Sequence, residues 1–589
     1  MATKKQTKKK QASSLEFYKK LVLNQYMLNL FGVNSFEELS SEIKKVENEG
    51  YDENNNTIYC KELIEQFASQ CAIPQGKLIQ YDENIVKHTF RISEKRGYII
   101  KWKYFQYLSL LFSEIYLDKY FSEPNKFLEE LNEYVRSFNS DKEKDDRIDE
   151  YTLEDLNKLA FWNATGSGKT LIMHINILQY MHYLKLHGRE REINRVILLT
   201  PSEGLSNQHL IELELSGFKA ELFDKNAGGL LTNSEKKIEI IDIHKLKDEA
   251  KEKTVAVDFF EKNNLVLVDE GHRGSSGKDW KQKRDTLCEK GFSFEYSATF
   301  GQAVKNDSKL IQEYAKCIIF DYSYRYFHGD GYGKDYNILN LADDKDEDMR
   351  NLYLTACLMM FYQQLKIYEE NREALNPFMI EKPLLVFVGS TVNAVRTENK
   401  KNVSDVIDIL LFFDRFIKNE RNKTVDNIQR LLSGNAGLLD SKNREIFRDS
   451  FFYLKGKGLS QDAIFMDMLK IIFADAIPGA QLHIDILNGT DGEIGLKVGD
   501  AENYFGCINV GDSSKLIKLC EDIGLNTEKR GFSSSLFRSI NETNSTINVL
   551  IGSKKFSEGW NSWRVSTMGL MNMGKKEGSE VIQLFGRGV

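Results

Sequence analysis

The chain has 589 residues, 41% hydrophobic and 28% charged, with a formal net charge of -7. That balance describes an ordinary globular chain of several domains and excludes a disordered or collagenous one. A negative net charge also excludes a uniformly basic surface, so any nucleic-acid binding must use a local groove.

Five lysines crowd the first eleven residues, MATKKQTKKKQ, without an apolar run. They predict a solvated tail over 1–13, with no secretory signal. Residues 14–98 predict a helical N-terminal domain. FYKKLVLNQYMLNLFGV has apolar residues at helical spacing and Gly32 as its stop, and SFEELSSEIKKV opens on a serine cap with a glutamate three residues on. WKYFQYLSLLFSEIYLDKYF (102–121) reads as a further helix. SDKEKDDRIDE (140–150) reads as a charged surface loop.

From about residue 158 short β-branched runs alternate with helical patterns: RVILLT (195–200), NLVLVDE (264–270), FSFEYSAT (292–299) and KCIIFD (316–321). Runs this short and this apolar predict strands of a parallel sheet buried on both faces. PLLVFVG (383–389) and TINVLIGS (546–553) begin a second set. Between them 396–545 predicts an insertion. It holds two helices (VSDVIDILLFFDRFIKN, QDAIFMDMLKIIFADA) and a hairpin of LHIDIL and EIGLKV around NGTDG.

The seven cysteines include no CxxC pair, so neither a zinc site nor a disulfide framework is expected. No apolar run has membrane length. The chain is expected to be cytoplasmic, with buried thiols and no membrane partner.

Three strings carry chemistry. In FWNATGSGKTLIMHINIL, Thr165, Gly166, Ser167, Gly168, Lys169 and Thr170 form a phosphate-binding loop opening a helix. The glycines let successive N–H groups turn inward, Lys169 reaches the β- and γ-phosphates, and the Thr170 hydroxyl holds Mg²⁺. In NLVLVDEGHRG, Asp269 and Glu270 stand at the end of a buried strand, where charge needs a compensating partner. A magnesium ion held by Asp269, and a water activated by Glu270, supply that reason. His272 and the SAT hydroxyls, Ser297 and Thr299, are candidates for coupling the nucleotide state to a neighbouring groove.

The order ATGSGKT, LLTPSEGL, DEGH, SAT and a terminal Q-x-x-G-R resembles the superfamily 2 DEAD/DEAH-box helicases. Within them it is most similar to the helicase-like subunits of type III restriction enzymes and their phage-defence relatives. That resemblance implies an α/β fold of two RecA-like P-loop NTPase lobes: 99–325 for the first, and 326–395 with 546–589 for the second, which carries the insertion. It implies ATP and Mg²⁺ as cofactors and DNA, in preference to RNA, as the polymer. Gln106 would read adenine, with Tyr104 or Phe105 stacking. Thr200 and Pro201, and Gly389 and Ser390, would touch a nucleic-acid backbone, with Lys554 and Lys555 beside them. In KFSEGWNSW, Asn561 stands where the family has an aspartate and Trp563 where it has a proline; Asn561 would still reach the ribose.

QLFGRGV is similar to the sixth motif, in which Gln583 and Arg587 act on the transferred phosphoryl group from the second lobe. The motif's second arginine would be residue 590, so the chain is expected to be a piece of a longer protein. Alternative readings are an RNA helicase or remodeller, and a nucleotide-gated clamp with little turnover. No nuclease is expected here: Asp491, Glu493 and Lys497 have the wrong spacing, and a nuclease or methyltransferase would be a partner.

Overall fold

The computed structural model describes residues 16–223, 237–247, 255–271, 278–304, 307–335, 337–339, 341, 346–389, 396–398, 401–403, 405–487, 492–510, 513–530, 534–553 and 562–571. The chain divides into two compact units, Met1–Gly333 and Lys334–Val589. The break falls eight residues beyond the expected first-lobe boundary at 325. No helix among the described residues is long and apolar enough to cross a membrane.

The first unit is built on a seven-stranded parallel sheet. Its strands are β1 (Lys158–Asn163), β2 (Val196–Thr200), β3 (Ala220–Leu222), β4 (Ile238–Asp242), β7 (Leu265–Asp269), β8 (Phe292–Ser297) and β9 (Ile318–Tyr322). β5 (Leu246–Lys247) and β6 (Val255–Ala256) form a small separate pair. The sheet order is β3-β4-β2-β7-β8-β1-β9. Alternate residues of one strand enter different cores: Val196 and Leu198 pack into the large cluster on one face, Ile197 and Leu199 into the smaller one on the other. This two-sided burial is why the strands read as unbroken apolar runs.

The N-terminal helices do not stand apart from this sheet. α1 (Val22–Leu30), α2 (Phe36–Ile43), α3 (Ile58–Phe67), α4 (Gln75–Ser93), α5 (Tyr104–Ser122) and α6 (Pro124–Phe138) share one core with α7 (Lys169–Leu186) and the sheet. Asn24 of α1 donates to the carbonyl of Ile319 on edge strand β9, at 2.9 Å. The predicted serine cap is present: Ser35 accepts from the Glu38 N–H, and Glu38 Oε2 accepts from the Asn34 N–H at 2.7 Å.

The second unit carries a sheet of order β16-β13-β14-β15-β17-β10-β18. Its strands are β10 (Leu384–Gly389), β13 (Leu482–Leu487), β14 (Glu493–Val498), β15 (Gly506–Asn509), β16 (Asn526–Arg530), β17 (Val549–Ser553) and β18 (Val565–Met571); β11 (Arg396–Glu398) and β12 (Lys401–Val403) pair separately. Only β14 runs antiparallel to its neighbours. The segment expected as an insertion therefore supplies four strands of this sheet rather than a body attached to it. Two parallel-dominated α/β sheets of seven strands each are the architecture of two RecA-like lobes.

The expected hairpin is β13 and β14, in register Leu482↔Val498 to Ile486↔Ile494. It lies inside the sheet, not in solvent. Glu493 is buried and accepts from Ser535 Oγ at 2.5 Å and from the Phe537 N–H at 3.3 Å, a holding role. Asp491 lies outside the described residues.

Glu114 of α5 is fully buried, accepting from Tyr183 Oη of α7 at 2.7 Å and from Asn84 of α4 at 3.3 Å. Burial pushes its carboxyl up to about 7. A carboxyl raised on folding contributes stability below its unfolded value and loses it as pH rises through the folded one. Glu114→Gln is expected to raise the melting temperature relative to the unchanged chain near pH ~8 and to change it little near pH ~5, read by thermal melts at both values.

Candidate active site

Sheet order brings the motifs together. β2, β7, β8 and β1 are consecutive neighbours and parallel, so the segments leaving their carboxyl ends share one rim. Those segments are the 200–202 turn, the Asp269–Glu270 pair, the SAT tripeptide and the phosphate loop. Ligands of open α/β sheets bind at this rim.

The loop begins at Ala164, whose N–H donates to the carbonyl of Tyr322 at 2.9 Å. Gly166 and Gly168 have φ of 81° and 90°, in the left-handed region that favours glycine. α7 starts at Lys169 directly after them, so the N–H groups of its first turn face the loop. Lys169 Nζ donates to the loop carbonyls of Ala164 (3.1 Å) and Asn163 (3.3 Å). Ser167 Oγ donates to Ala164 O at 2.7 Å and is buried, whereas Thr165 and Thr170 are half-buried.

Gln106 stands on the phosphate loop. Its Oε1 accepts from the Lys103 N–H at 2.9 Å and its Nε2 donates to Ser167 O at 2.9 Å. Both ends of the amide are used within the protein, one of them on the loop. Phe105 lies flat on Tyr322, ring centroids 3.8 Å apart, so one of its faces is already covered. Tyr104 and Tyr322 both donate to Asp330, which also pairs with Lys44 at 2.7 Å. The segment 324–333 is thereby held against the loop; a Cβ on Gly166 would lie 3.7 Å from Phe327.

Asp269 ends β7, and both of its oxygens have partners. Oδ1 accepts from the Glu270 N–H at 2.9 Å and Oδ2 from His209 Nε2 at 2.9 Å. Glu270 is 9% exposed and has φ of 56°. A glutamate held in the left-handed region costs about 1–3 kcal/mol, a strain found where a side chain must be aimed. Gly271 N–H donates to Tyr296 O at 3.0 Å, and a Cβ there would meet Glu295 at 3.1 Å. Ser297 Oγ accepts from the Thr299 N–H at 3.0 Å, and both residues are fully buried. His272 lies outside the described residues.

Thr200 and Pro201 are buried as well. The Thr200 hydroxyl is engaged with Ser206 Oγ at 2.6 Å in α8 (Glu203–Leu215). In the second unit Gly389 ends β10, in register with Ser553 and Met571. Ser390, Lys554, Lys555, Asn561, Gln583 and Arg587 lie outside the described residues. Trp563 is exposed, and its carbonyl accepts from Lys334 Nζ at 3.0 Å.

His209 is the site residue that sequence reasoning missed. Its signal was a lone histidine in the i, i+4 row Leu205–His209–Leu213 on the buried face of α8.

Residues 125–302 match the family described as type III restriction enzyme, res subunit. No curated protein matches the chain. Among solved structures, S. cerevisiae Dbp5 bound to RNA and ADP BeF3 aligns at 10% identity over 86% of this chain and 83% of its own, with a TM-score of 0.35. DEAD-box helicase Mss116 bound to ssRNA and UDP-BeF aligns at 12% identity over 71% and 72%, TM-score 0.25. The Pyrococcus furiosus Hef helicase domain aligns at 13% identity over 73% and 90%, TM-score 0.27. Likenesses at these scores carry no conclusion. The family match falls on the unit that holds the phosphate loop and Asp269–Glu270.

Gly168→Ala tests the loop geometry. The new Cβ would stand 2.4 Å from Gln106 Nε2, on a φ that L-residues rarely adopt. Strain of 1–2 kcal/mol predicts nucleotide binding weaker by about tenfold or more, measured with a fluorescent ATP analogue.

Proposed function

We propose that this chain is a superfamily 2 ATPase and a DNA translocase or helicase motor, the helicase-like subunit of a restriction or phage-defence system. The observation that carries the reading is the placement of the phosphate loop and the Asp269–Glu270 pair on strands separated only by the SAT strand. The match of 125–302 to a restriction subunit family supports DNA over RNA. The free cysteines suit a reducing, cytoplasmic compartment.

In this reading Lys169 leaves the carbonyls of Asn163 and Ala164 and pairs with the β- and γ-phosphates, while loop N–H groups at the start of α7 take the phosphate oxygens. Glu270 orients the attacking water and takes its proton. The donor set fits a magnesium ion: Thr170 and Asp269 offer hard oxygens, and each Asp269 oxygen retains acceptor capacity beyond its one hydrogen bond. Among the described residues no group of three or more His, Cys, Asp or Glu could hold a metal, which suits an ion completed by phosphate oxygens. Bound with the nucleotide, Mg²⁺ would neutralise charge on the phosphates.

In this reading the backbone N–H groups of Glu203 and Gly204, at the exposed start of α8, meet the polymer.

Steady-state ATP hydrolysis should rise with double-stranded DNA more than with single-stranded DNA or RNA; stimulation by RNA alone would move the reading to an RNA remodeller. Lys169→Ala is expected to abolish productive nucleotide binding. Glu270→Gln should bind the analogue normally while kcat falls by about 100-fold or more, and normal turnover in that variant would remove Glu270 as the base.

A further inference from the structure

His209 is 3% exposed, and its Nδ1 is buried with no hydrogen-bond partner among the described residues. Among the described residues its one hydrogen bond is with Asp269. A carboxylate only accepts, so the His209 Nε2–H is the donor. Together with the Glu270 N–H on the other oxygen, it fixes the rotation of the Asp269 carboxylate about its own axis. The remaining lone pairs then point in set directions.

The helix that delivers His209 is itself held along its length. Near its start, Ser206 bonds Thr200 at 2.6 Å. Near its end, Arg96 donates to Glu212 Oε2 (2.7 Å) and to Ser216 Oγ (3.0 Å). Ser216 Oγ in turn hydrogen-bonds with His174 Nδ1 of α7 at 2.8 Å. A side chain on a helix braced at both ends returns to one position, which a positioning contact requires.

We propose that His209 is a positioning residue that orients Asp269 for magnesium and its nucleotide. The proposal deepens the motor reading above and rests on it for the identity of the ligands. Partners that orient a metal ligand in this way commonly set metal affinity.

The test uses the full chain with Mg²⁺ and a fluorescent ATP analogue as probes. Analogue binding is titrated against Mg²⁺ for the unchanged chain, His209→Ala and His209→Gln, with thermal melts of each. His209→Ala is expected to need about tenfold more Mg²⁺ for half-maximal binding, with Mg²⁺-free binding unchanged. His209→Gln, whose amide N–H can reach the same oxygen, is expected to restore the Mg²⁺ requirement. An unchanged Mg²⁺ requirement in a folded His209→Ala chain would overturn the proposal. So would a loss of Mg²⁺-free binding and melting temperature that His209→Gln does not repair, which assigns His209 to packing. If the unchanged chain binds the analogue with no response to Mg²⁺, the ATPase reading itself falls, a result separable from both.

Discussion

Everything at the candidate site follows from parallel strands buried on both faces. A strand such as Leu265–Asp269 can satisfy its backbone only through two parallel neighbours, and it gets them from β2 and β8. Parallel pairing aligns the carboxyl ends, so whatever follows each strand is delivered to the same rim. The rim is also where such a strand reaches water. Val268 is fully buried; Asp269, one residue on, is partly exposed. The acidic pair, the SAT hydroxyls and the glycine loop all lie at this rim.

The loop keeps its cation occupied. Lys169 Nζ donates to two loop carbonyls, and Gln106 donates to a third at Ser167. Each charge-assisted bond of this kind is worth about 1.5–3 kcal/mol, so nucleotide binding exchanges one set of oxygens for another and gains only the difference. That exchange favours phosphate oxygens, which carry full charge, over carbonyls. It also gives Gln106 a defined place: it stands over Gly168, too close to admit any side chain there.

The sheet and its rim were legible in the sequence because each strand is an apolar run and each motif follows one directly. The phosphate loop, Asp269, Glu270, Ser297 and Thr299 could be placed from such runs alone. The insertion could not. EIGLKV reads as half of an isolated hairpin, and its local turn dipeptides say nothing of Gly506–Asn509, the partner on its other side. Strand neighbours distant in sequence are set by the whole core. The same holds for His209, whose partner is 60 residues away. The helical N-terminal segment reads as a domain because its own periodicity is complete, yet its apolar faces close only against α7 and the sheet.

Beneath the acidic pair the protein accepts a costly arrangement. Glu295 of β8 is fully buried, 2.8 Å from Lys158 Nζ and 2.9 Å from Arg284 Nη1, and it accepts from Tyr314 Oη at 2.8 Å. Arg284 is also fully buried and sits on Lys278–Leu287, the helix that follows the acidic motif. Desolvating such ions can offset their attraction, so a buried pair of this kind is weak evidence of stability. Its geometry is more informative than its energy. Glu295 lies beside Gly271, where no Cβ fits without displacing it. The ion pair therefore joins the strand that carries the SAT hydroxyls to β1 and to the helix Lys278–Leu287, while His209 bonds Asp269. An apolar core of equal volume would fill the space but could not fix these directions, because only hydrogen-bonded charges specify orientation as well as distance.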